Sequence, residues 1–182
     1  MANPFHTLGR GISNMLARAV VRGLNTASKC QMLQIEMAGG EGKSDIEHLE
    51  PYGFTAAPHQ GAEAVSVYFD GDRSHGVVLV VSDRRYRIRG LKAGEVAVYT
   101  DEGDSIIMKR GRVTEVNTGH LIVNASEKAT FNTPLLEVPE GEVKDKTSTL
   151  SDMRAIYDGH THKENGSGGG TTNPTTQKMG AA

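Results

Sequence analysis

The 182-residue chain has no tryptophan, only 5% aromatic residues and a single cysteine, Cys30. One thiol excludes an intramolecular disulfide framework, and no Cys-X-X-Cys accompanies it to activate it. No run approaches the ~20 apolar residues of a membrane-spanning helix. Acidic residues are missing from the start of the chain: Arg10, Arg18, Arg22 and Lys29 all precede the first of them, Glu36. That basic segment has no continuous apolar stretch, which argues against a secretory signal and leaves an organelle transit peptide as a minor reading. Net charge is −2, so no global field calls for nucleic acid or an anionic membrane. Enzyme signatures are missing as well: there is no Gly-X-Ser-X-Gly and no His-Glu-X-X-His. Gly39-Gly40-Glu41-Gly42-Lys43-Ser44 fails the phosphate-loop spacing, because Met37 stands where the first glycine belongs. It reads as a turn between strands.

What is present is glycine, 22 residues of it, and short apolar alternations. A hydrophobic content of 37% is lean for a self-contained core. It suits an elongated β-architecture that shares its burial with partner chains. Residues 10–25 read as a helix, because Ile12, Met15, Leu16, Ala19, Val20, Gly23 and Leu24 share one face at i, i+3, i+4 spacing. Such a helix packs on its own domain or docks on a partner chain. From Cys30 the period changes to two. Leu33–Met37 and Ala64–Tyr68 alternate, and Gly76–Val81 is a continuous β-branched run typical of a strand covered on both faces. Arg84–Arg89 and Val96–Tyr99 follow, and Asp70-Gly71-Asp72 marks a turn. Five or six short strands within ~70 residues predict a small closed antiparallel barrel, of which the oligomer-binding (OB) fold is the best fit. The arginines 84, 85, 87 and 89 could face nucleic acid, but only Tyr86 is interleaved for base stacking, so they read as solvated or paired between chains.

Residues 103–146 form a ladder of short runs: Ser105–Met108, Val113–Val116, Leu121–Val123, Thr130–Asn132 and Leu135–Val138. Val116-Asn117-Thr118, Val123-Asn124-Ala125 and Phe131-Asn132-Thr133 echo one another. Rungs this thin cannot bury a core by themselves, which predicts a solenoid or intertwined prism whose missing faces come from neighbouring chains. The Gly/Thr/Asn-rich end beyond it, taken alone, reads as a flexible tail.

Just before that tail stands His160-Thr161-His162. On an extended backbone both imidazoles point to one side and can reach one metal ion. Two ligands do not complete a site, and the chain offers no third nearby. Three copies around a threefold axis would supply six imidazole nitrogens in octahedral array. That disfavours tetrahedral zinc and favours iron. Such a saturated site is structural, and its binding free energy would order an end that lacks a core.

At nearly every block the sequence resembles the baseplate central spike proteins of contractile-tailed phages of the phage Mu type (baseplate assembly protein V). The likeness rests on Glu50-Pro51-Tyr52-Gly53-Phe54-Thr55, on Gly71-Asp72-Arg73-Ser74-His75 with Val77–Val81, and on Asp83-Arg84-Arg85-Tyr86-Arg87. It continues through Gly90–Tyr99 and ends at His160-Thr161-His162 with the Gly/Thr-rich stretch. The resemblance implies a mostly β homotrimer in the virion, at the tip of the tail baseplate, that pierces the bacterial outer membrane as the sheath contracts. It implies an N-terminal hub-attachment helix over 1–28 and an OB-fold domain over 29–95. A triple-stranded β-helix shaft would follow over 96–150, then a metal-binding apex over 151–182. It further implies iron held by His160 and His162 of three chains, with calcium and chloride ions near the apex. Carboxylates such as Asp152 or Asp158 are candidates for the calcium. The implied partners are the other two copies, the baseplate hub protein and, transiently, the outer membrane, with no nucleic acid. One departure stands out: family tips often continue His-Thr-His with Pro and Gly, whereas this chain reads Lys163-Glu164-Asn165-Gly166.

Two other readings compete. An OB-like module binding an oligonucleotide or glycan, with a disordered tail, predicts a monomer or dimer. A metalloenzyme built on His160, His162 and a third ligand predicts an open coordination position. Neither accounts for the ladder.

Overall fold

A computed structural model describes residues 15–163, 166 and 168–179. The chain divides at Ile122/Val123 into two compact units.

The first unit opens with a strand, where the periodicity predicts a helix. β1 spans Leu16–Asn25; residues 10–14 of the expected helix lie outside the described residues. The segment satisfies both periods at once. Ala17, Ala19 and Val21 alternate, and they pack into the core. Arg18 and Arg22 fall on the outer side of the same strand, where they pair with Glu63 at 2.8 Å and Glu36 at 3.0 Å. Two alanines favour a helix locally, but pairing on both edges of β1 overrides that preference.

Four further strands complete a closed barrel: β2 (Gln31–Met37), β3 (Gly42–His48), β4 (Glu63–Tyr68) and β5 (Gly76–Ser82), in the order β1-β2-β3-β5-β4. All neighbours are antiparallel except β3 and β5. The barrel is OB-like, as expected. Inward residues alternate as the pleat requires. Leu33, Ile35 and Met37 from β2 meet Ala64 and Tyr68 from β4, with Val21, Ile46 and Val78 around them. β3 begins inside the glycine-rich stretch taken for a turn, so only its first half is the turn. Polar groups in this core are satisfied. His48 Nδ1 faces Gln31 Oε1 at 2.9 Å, Gln31 Nε2 donates to the Ala56 carbonyl, and burial pushes the His48 imidazole below its ordinary pKa.

Gly76 is where this packing is tightest. A Cβ placed there would lie 2.4 Å from the ring of the fully buried Tyr68 and 2.9 Å from the Val67 carbonyl. Gly76→Ala is therefore expected to destabilise the barrel by about 1–3 kcal/mol, the usual cost of overpacking, read as a lower denaturant midpoint.

Beyond β5 the chain leaves the barrel. Asp83 accepts hydrogen bonds from the Arg85 amide and side chain, so residues 84–86 form a turn and not the expected strand. Val96–Tyr99 is a strand, β6, but it belongs to a separate three-stranded antiparallel sheet with β7 (Ser105–Lys109) and β8 (Val113–Asn117). Expected runs at 121–123, 130–132 and 135–138 form no strands within one chain.

In the second unit a helix, α1 (Leu150–Gly159), appears where none was expected. Thr149 caps it: its side chain accepts from the Asp152 amide while Asp152 accepts from the Thr149 amide, a complete capping box. Among the described residues no helix is long and apolar enough to cross a membrane.

Candidate metal centre

His160 is the residue that ends α1. Its Nδ1 lies against the Tyr157 carbonyl, which also accepts the His160 backbone amide and so closes the last turn of the helix. An imidazole nitrogen facing a carbonyl carries the proton, so the lone pair of His160 is on Nε2. This is the arrangement in which a histidine ligates a metal while its other nitrogen is held by the backbone. The Tyr157 ring packs at 5.3 Å from the His160 ring and helps fix it.

The His162 ring stands 5.1 Å from that of His160, edge to face. The expected pair is thus brought together. His162 is anchored from the far side of the Gly-rich loop: its amide donates to Thr172 Oγ1 at 2.8 Å, and the Thr172 amide donates to the His162 carbonyl at 2.8 Å. Lys163 bridges to Thr171. The C-terminal stretch that reads in sequence as a loose tail folds back here. Lys178 donates to the Asp158 carbonyl and the Met179 amide to the Asp158 carboxylate.

Among the described residues no group of three or more His, Cys, Asp or Glu side chains could hold a metal ion. The donors fit a metal in kind, two imidazoles with one nitrogen oriented, but a single chain provides only part of a site. His120 belongs to the other unit. Asp152 is engaged by Ser148 and Thr149, and those hydrogen bonds hold its carboxyl below the usual range. Asp158 is engaged by Met179. Cys30 is half-buried, with its Sγ directed at backbone carbonyls of Gln31 and His48.

Of the clustered arginines, Arg84 and Arg85 are paired within the chain. Arg84 forks onto Glu63, whose carboxyl is held low chiefly by that contact. Arg85 binds Asp83 and the Gln60 carbonyl and covers Tyr86.

Two features escape a reading by motif. α1 carries an exposed apolar face, and its signal was the Thr149-X-X-Asp152 cap followed by Met153, Ile156 and Tyr157. The other is the run 116–147, in which every residue is exposed.

Residues 18–85 match the family described as Bacteriophage Mu Gp45, N-terminal. The chain is 34% identical over 180 residues to the baseplate puncturing device gp45 of Escherichia phage Mu, which covers 92% of this chain and 91% of that protein. It is 32% identical over 136 residues to the Mu-like prophage FluMu protein gp45 of Haemophilus influenzae, covering 70% and 72%. With barrel, small sheet and histidine pair all inside a match that runs nearly end to end, the chain belongs to the gp45 family of phage Mu.

Proposed function

We propose that this protein is the central spike of a contractile phage tail, located at the baseplate tip and driven through the outer membrane of the host cell on sheath contraction. The observation that carries this reading is the segment after β8. Residues 118–147 are exposed throughout, yet they include Leu121, Ile122, Val123, Phe131, Leu135 and Leu136, each at least 65% exposed. Among the described residues, 118–137 make no backbone–backbone hydrogen bond. Large apolar side chains exposed in a row call for a cover, and the unpaired backbone beside them is free to pair with whatever provides it. The repeating Asn-containing echo makes other copies of the same chain the natural one. Three chains winding together here would form a triple-stranded β-helix shaft, roughly residues 96–150, ahead of an apex over 151–182. The OB-like barrel would remain to hold the baseplate hub.

His160 and His162 of three chains would then hold one iron ion through six imidazoles. A coordinatively saturated ion ties the three chains together and offers no position for substrate, so the role is mechanical and needs no turnover. Calcium and chloride near the apex belong to the same reading, by likeness to the family.

Absolute mass in solution, paired with elemental analysis, tests it. The expected result is a three-chain particle at micromolar concentration containing iron. A metal-free single chain overturns the spike reading and leaves an OB-like binding module for an oligonucleotide or glycan.

A further inference from the structure

Helix α1 separates its residues by character. At about 100° per residue, Leu150, Met153, Ile156 and Tyr157 share one face, Arg154 borders it beside Leu150, and Ser151, Asp152 and Asp158 lie away from it. The four apolar side chains are between 40% and 70% exposed, and α1 buries no residue at all. Ten residues are too few for a helix to stand alone in water, so α1 needs packing that the described residues of its own chain do not provide. The C-terminal stretch meets the helix on the polar side, at Asp158, and leaves the apolar face open.

What covers that face follows from where it leads. Leu150, Met153 and Tyr157 are spaced by three and four, as on any helix face that packs against a neighbour. The next position of the same seam is His160, whose ring rests on Tyr157. The face that lacks a cover is therefore continuous with a ligand pair that lacks its remaining ligands. A partner of unrelated sequence would cover the face but leave the pair incomplete. Further copies of this chain do both.

We propose that α1 is a trimerisation collar: three copies pack their Leu150, Met153 and Tyr157 seams about one axis and thereby turn His160 of each chain toward that axis. This rests on the three-chain reading above and assigns the element that phases the metal ligands. In it, α1 is a positioning element and touches no metal itself.

Cysteine crosslinking in the full-length chain tests it. With Cys30→Ser as background, Met153→Cys places a thiol on the seam and Ser151→Cys places one on the opposite side. Both are mild changes at solvent-exposed positions. Oxidation with diamide is expected to convert Met153→Cys to a crosslinked dimer on a non-reducing gel and to leave Ser151→Cys uncrosslinked. A particle of three chains in which Met153→Cys stays uncrosslinked, or Ser151→Cys crosslinks equally, overturns the collar and leaves the trimer standing. A single-chain mass for the Cys30→Ser parent overturns the trimer, and the collar with it.

Discussion

His160→Ala combined with His162→Ala is expected to abolish bound iron altogether, from about one ion per three chains to none. The size of this effect follows from the ligand count. Each chain brings two imidazoles and, among the described residues, no further cluster that could compensate. Removing both leaves the axis without donors. Ligation free energy in structural metal sites is folding free energy, so the loss should also appear as early melting confined to residues after α1. The OB-like barrel, with its core inside one chain, should keep its own transition. The checks are elemental analysis of the purified particle and hydrogen exchange along the chain. Iron retained in the double variant would remove these histidines from the site.

The second large effect concerns Leu135 and Leu136. In a lone chain both are about two-thirds exposed, and exposed substitutions usually change stability by within about 0.5 kcal/mol. In an intertwined shaft the same residues are core. Neighbours on an extended backbone point to opposite sides, so replacing both places a charge inside whichever side is buried. Leu135→Glu with Leu136→Glu is then expected to cost at least the ~2–5 kcal/mol of a buried leucine per chain, repeated in each of three chains. The readout is sedimentation at micromolar concentration, where the particle should fall from three chains to one. An unchanged mass and unchanged melting would mean that nothing covers this segment.

What could be read from the sequence was set by where the physics is local. The strands β2 and β4 announce themselves because one chain buries one side of each, and alternation records that directly, whereas β5 shows as a β-branched run that suggests cover on both faces although Leu79 and Val80 are exposed. The His-X-His pair is legible for the same reason: spacing alone places two rings together. β1 is not legible as a strand because Leu16–Asn25 fits both periods, and the choice lies with β2 and β4 on its flanks, not with its own residues. The rungs at 121–123, 130–132 and 135–138 carry the pattern of strands without forming them in a single chain, and on the proposed three-chain reading their pairing partners lie in the other copies. α1 went unseen because ten residues hold few turns of pattern, and its cap was the better signal.

β1 is held on one side by β2 and on the other by β4, which leaves the barrel no free edge. This bears on how the particle is made. A newly synthesised chain can close its barrel in a first-order step, at a rate independent of how many copies are present. On the proposed three-chain reading, assembly of the remainder must wait for encounter, and its rate should rise steeply with concentration. While it waits, the finished part offers no backbone on which a neighbour's strand could wrongly grow. The risk of mispairing is thereby confined to the short open sheet and the segment that follows it.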